Sequence, residues 1–111
     1  LQITDAAGGT IAISDAGWQC LVVHTAPLDK ACDSVADPVA GEGACTFAIF
    51  EEPDGWDTAG FDASDWPQAD VRLDVDPKLG YDEINESASA AFIWGPDLAR
   101  SDTVPCRLML D

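Results

Sequence analysis

The residues able to do chemistry are few in kind. Of 111 residues, 21 are Asp or Glu, one is His, four are Cys and four are Trp. His24 is the only imidazole that could act as a base. It falls in phase with Trp18 and Val22 along an alternating run, which predicts a buried, hydrogen-bonded strand residue and not a catalytic one. A Ser-His-Asp triad finds no support, because no Gly-x-Ser-x-Gly elbow occurs. A paired-carboxylate glycosidase needs one acid kept protonated in an apolar cleft. Here the acids stand mostly beside Pro, Gly and other acids, where water reaches them. The chain is therefore expected not to be an enzyme.

Two further kinds of site are open to these residues. The run from Asp74 to Glu83 brushes against a calcium loop. The helix–loop–helix spacing fails, since Lys78 stands at position 5, Leu79 at position 6 and Asn85 at position 12. An irregular oxygen site from Asp74, Asp76, Asp82 or Glu83 would take calcium, against the plainer reading of a solvated strand edge and loop; no other cofactor is expected. Indole rings make platforms for sugars. Trp18, Trp66 and Trp94 read as core, whereas Trp56 lies in a Pro-Asp-Gly-Trp-Asp turn and is the best candidate for an exposed ring. Tyr81, also in a loop, is the second ligand-binding candidate. Asn85-Glu86-Ser87 is an N-glycosylation acceptor and holds the only Asn of the chain.

The cysteines point to an oxidising, extracellular compartment. Cys20, Cys32, Cys45 and Cys106 are even in number, no Cys-x-x-Cys occurs, and one His offers little to zinc. Four cysteines allow three connectivities. Cys32 and Cys45 flank the loose, small-residue stretch 31–44, and Cys20 and Cys106 each lie on an apolar strand face. The pairs expected are Cys32–Cys45, and Cys20–Cys106 across the core.

The net charge of −16 repels phosphate backbones and anionic lipid, so nucleic-acid and membrane-surface roles are disfavoured. No stretch approaches the roughly 18 apolar residues of a membrane span, so no membrane insertion is expected. Asp outnumbers Glu about three to one, as in turns more than helices.

The elements that must position these residues show a period of two. Trp18 to His24 alternates, as do Val71 to Asp76, with Val71, Leu73 and Val75 facing in, and Cys106 to Leu110. Thr46 to Phe50 and Ala91 to Trp94 are short, apolar and rich in aromatic or β-branched residues. Leu1 to Thr4 and Thr10 to Ser14 read as two strands joined by a turn at Gly8-Gly9. Single helical turns are predicted at 63–69 and 85–90. About seven short strands separated by Pro and Gly make an all-β, antiparallel sandwich or barrel, one domain over residues 1–111.

Three local patterns carry a family resemblance. Ser14-Asp15-Ala16-Gly17-Trp18 resembles the Thr-Asp-x-x-Trp segment of galactose-binding-like domains. Phe61-Asp62-Ala63-Ser64-Asp65-Trp66-Pro67-Gln68-Ala69 resembles their Phe-Asp-Asp-Ser-x-Trp-x-x-Ala signature, with Ala63 in place of the second Asp. Phe92-Ile93-Trp94 with Thr103-Val104-Pro105-Cys106-Arg107 is similar to their closing segment. The resemblance implies a jelly-roll sandwich serving as an accessory module of extracellular proteins and glycoside hydrolases, with carbohydrate as partner. The rival expectation is a structural building block of an extracellular assembly. The resemblance also places strands before residue 1. Leu1-Gln2-Ile3, without Met, then reads as the start of a processed piece, and a second polypeptide is expected to supply the missing strands.

Overall fold

The computed structural model describes residues 1–73 and 87–110. Among these the chain is all-β: nine short strands, two 3-10 turns and no α-helix. The strands are β1 (Gln2–Thr4), β2 (Thr10–Ile13), β3 (Gln19–Cys20), β4 (His24–Thr25), β5 (Ala48–Ile49), β6 (Asp70–Arg72), β7 (Phe92–Trp94), β8 (Ser101–Thr103) and β9 (Cys106–Arg107). They form four small antiparallel sheets, β1-β2, β3-β9, β5-β4-β8 and β6-β7. No helix among the described residues is long and apolar enough to cross a membrane.

The first hairpin shows how local chemistry sets the chain's course. Asp5 Oδ1 accepts the N–H groups of Ala7 and Gly9 at 2.9 and 2.7 Å. Gly8 supplies the left-handed residue, at φ 85°, that the turn requires. The turn returns β2 against β1 with Ile3 opposite Ala12.

The alternating run 18–24 is not one strand. β3 stops at Cys20 and β4 starts at His24. Both nevertheless lie on one antiparallel track against 100–107: Cys20 faces Cys106, Leu21 N–H donates to Pro105 O at 3.0 Å, and Val23 N–H donates to Thr103 O at 3.0 Å. Pro105 has no N–H to return, so the ladder breaks there. A register shift between His24 and Thr25 follows. Val23, and not Val22, is consequently the buried valine.

The core is small. Its buried apolar members are Ala12, Cys20, Val23, Cys45, Ala63, Trp66 and Ala69. Trp66 is pinned by the segment 61–69. Asp62 Oδ1 accepts Ser64 N–H at 2.9 Å, and Trp66 N–H closes the turn on Ala63 O at 2.9 Å. Cys20 N–H donates to Pro67 O and Ala69 N–H to Trp18 O, each at 2.8 Å, which lays this segment beside β3. Phe61 packs edge-on to Trp66 at 5.6 Å.

Two disulfides join Cys20 to Cys106 and Cys32 to Cys45, the pairs expected from the sequence. The first does not cross between layers. It links directly opposed residues of neighbouring strands, with Cα atoms 4.1 Å apart. The second holds 31–44, where 3-10 turns cover Lys30–Ser34 and Gly43–Cys45.

Of Val71, Leu73 and Val75, expected to face inward, the first two are corrected, Val71 being 38% and Leu73 91% exposed, and Val75 lies outside the described residues. Alternation says which side chains share a face, and the two-stranded β6-β7 sheet leaves this one uncovered.

Candidate functional site

Trp56 sits on a tight turn. Its N–H donates to Pro53 O, Thr58 N–H donates to Gly55 O, and Gly55 takes the left-handed φ of 71°. The indole Nε1 donates to Glu52 Oε1, and the ring leans on Trp66 at 6.4 Å between centroids. The ring is thus half-buried, part of it packed on its neighbours and part of it open.

Trp18 reaches the same place from the other side. Asp15 Oδ1 accepts Gly17 N–H at 2.8 Å and shapes the bend that delivers it. Its Nε1 donates to Ile13 O at 2.8 Å, and the ring is half-buried, not core. Trp94 is likewise half-buried, its Nε1 bonded to Ser101 O. Of the three tryptophans expected in the core, only Trp66 is buried.

Trp18 and Trp56 line an open cleft of about 440 Å³ together with Thr58, Arg107, Leu108 and Leu110. Arg107 is fixed in place. Its Nη1 donates to Thr58 O at 2.9 Å, its guanidinium lies 5.3 Å from the centre of the Phe61 ring, and Nη2 reaches Met109 Sδ at 3.6 Å. The indole N–H groups of both cleft tryptophans are satisfied by the protein itself. What remains for a ligand is ring surface, flanked by a held cation and by the exposed carboxylate of Asp57.

His24 occupies a second place. Its Nδ1 lies 2.6 Å from Asp102 Oδ2, with side chains 27% and 53% exposed. It is therefore half-buried on a sheet face, where burial had been expected. The ring stands 5.6 Å from Phe47 at the mouth of an apolar pocket of about 460 Å³. Ala26, Pro27, Pro38 and Phe47 wall that pocket with the Cys32–Cys45 disulfide. Sequence reasoning missed Asp102, because β8 carries no apolar alternation that would mark it as a strand beside β4.

The Asp62 carboxyl is held below its ordinary 3.8, first by the Ser64 backbone N–H and then by the Ser64 side chain. It shapes the turn before Trp66 and lies outside both pockets. Among the described residues no group of three or more His, Cys, Asp or Glu side chains could hold a metal ion. Asp74, Asp76, Tyr81, Asp82, Glu83 and Asn85 lie outside the described residues. Compared with protein-family models, with curated proteins and with solved structures, the chain gives no match.

Proposed function

We propose that this chain is an extracellular, non-catalytic binding module of the galactose-binding-like sandwich class, taking carbohydrate in the cleft between Trp18 and Trp56. The single observation that carries the reading is the cleft itself: two indoles with satisfied N–H groups present ring surface beside the anchored Arg107. Apolar sugar faces pack on such rings while hydroxyls meet a few fixed polar groups. The two disulfides support an oxidising compartment. The test is a glycan array followed by titration of the hit against intrinsic tryptophan fluorescence. Binding abolished by Trp56→Ala, with folding intact, is the expected result. A chain that binds no glycan, or binds equally well without the Trp56 ring, overturns it.

A second reading is favoured by a different observation. Ile49, Phe50, Leu98 and Leu110 all stand more than half clear of the protein. Where such side chains adjoin, they offer a surface for contact with other macromolecules. On this reading the chain is a building block of an extracellular assembly, completed by strands of a second polypeptide. Such a block stays silent on a glycan array and associates with its partner instead.

A further inference from the structure

The β5-β4-β8 sheet ends on one side at β5. Pairing with β4 uses alternate residues. Phe50 N–H donates to Val23 O at 2.8 Å, Leu28 N–H donates to Thr46 O at 2.9 Å, and Ala48 stands opposite Thr25. In an antiparallel ladder the residues between those point their N–H and C=O the other way. The main-chain groups of Phe47 and Ile49 therefore face outward, and among the described residues no strand lies there to meet them.

Natural edges are blunted by proline, inward charge or a covering loop. This one carries Phe47 and Ile49, 42% and 71% exposed. Beside Phe47 opens the apolar pocket walled by Ala26, Pro27, Pro38 and the Cys32–Cys45 disulfide. An unpaired edge with a side-chain pocket next to it is the arrangement by which sheets capture extended peptides: main-chain bonds hold the strand and the pocket selects its side chain.

The surroundings state the partner's charge. Residues 26–55 contain seven acids, Asp29, Asp33, Asp37, Glu42, Glu51, Glu52 and Asp54, against the single base Lys30. Asp29 caps the first of the two 3-10 turns that carry the pocket's cysteines, Glu42 directly precedes the second, and Glu51 follows directly on the exposed Phe50. A second copy of this chain would bring the same seven acids to the contact.

We propose that the outer edge of β5 receives an extended amphipathic segment of another polypeptide, its apolar side chains over Phe47, Ile49 and the pocket, its Lys or Arg side chains among these acids. This deepens the building-block reading by naming the edge and the chemistry of the incoming strand. The probe is a blocked nine-residue peptide alternating Val and Lys, added to the full chain, with amide exchange read residue by residue. Exchange should slow at Phe47 and Ile49, while Ala48 and Phe50, already bonded to β4, stay as they were. Alternate N-methylation of the peptide, Ile49→Lys, or Glu51→Lys with Asp37→Lys should each weaken binding by about tenfold or more, the last without touching the strand.

Three results overturn the proposal. One is an N-methylated peptide that binds as well as its parent. Another is protection of Phe47 and Ile49 by the chain alone as its concentration rises, which makes the occupant a second copy. The third is protection along a different edge, such as β6, which leaves the building-block reading standing and removes β5 from it. Failure of the whole reading is distinct: no peptide then protects any edge.

Discussion

At the scale of single residues the tryptophans divide by burial. Trp66 is buried beneath Phe61 and Trp56, whereas Trp56 shows part of its ring to the cleft. Trp66→Ala should destabilise the fold by about 3–5 kcal/mol, the range for deleting a large core aromatic. Trp56→Ala should cost distinctly less, and urea denaturation of the two variants compares them directly. Asp62 gives a pH signature. Its carboxyl is held below 3.8 in the fold, so the ionised form is favoured there. The stabilisation is complete above the ordinary value and is lost as pH falls through the lowered one. Asp62→Ala should therefore lower the melting temperature at neutral pH, and the gap from the parent should close in acid well below 3.8. A gap that is unchanged across this range would assign the residue a merely steric part. Gly95 offers a third test. A Cβ there would meet Val22 Cγ2 at 2.8 Å and Ser101 Cβ at 3.0 Å. Gly95→Ala should destabilise by about 1–3 kcal/mol by overpacking, read in the same denaturation series.

At the scale of elements, what was legible follows from what is local. The Asp5–Gly9 turn and the cap at Asp62 rest on short-range hydrogen bonds between neighbours, and each was readable from residue type and spacing. The pairing of Cys32 with Cys45 was readable because the chain between them has little else to order it. The breaks in the alternating runs were not. Pro105 interrupts the strand opposite Leu21, and only the long-range register reveals which residue a proline faces. The His24–Asp102 pair depends on the same register, joining residues 78 positions apart. The cleft was half legible: Trp56 could be named from its turn, but its neighbours Trp18 and Arg107 arrive by folding. The disulfides allow a comparison between elements. Cys20–Cys106 spans 86 positions and Cys32–Cys45 spans 13. By loop-closure entropy the first contributes about 4–5 kcal/mol and the second about 3. Replacing each pair by serine should reproduce that order in denaturant midpoints.

At the scale of the molecule, surface outweighs core. The chain exposes 7730 Å², where a compact monomer of its 11.7 kDa exposes about 5900 Å². Its radius of gyration is 16.7 Å, against about 13 Å for a compact chain of this length. Like charge, −16 at neutral pH, opposes association through the apolar share of that surface. Near the isoelectric point of 4.1 that protection vanishes. Sedimentation should show a dispersed species at neutral pH and low salt, and steep association as pH approaches 4.1. A chain that stays monomeric there would mean that its exposed apolar side chains are not sticky.

The Cys20–Cys106 bond has a mechanical side. It ties directly opposed residues of β3 and β9, so the β4, β5, β6, β7 and β8 strands all lie within the covalent ring it closes. Tension entering ahead of Cys20 and leaving beyond Cys106 passes through the sulfur bridge and bypasses those strands. Among the described residues, the β1-β2 hairpin and the Gln19–Arg107 end of β3-β9 stand in the line of load. A chain pulled from these two flanks should lengthen little beyond the hairpin. After reduction of both bridges, the whole 86-position span from Cys20 to Cys106 becomes available as slack, roughly 300 Å at full extension. Single-molecule pulling with and without reductant would measure the difference. A thiol in the surroundings would then decide how far this chain yields under strain.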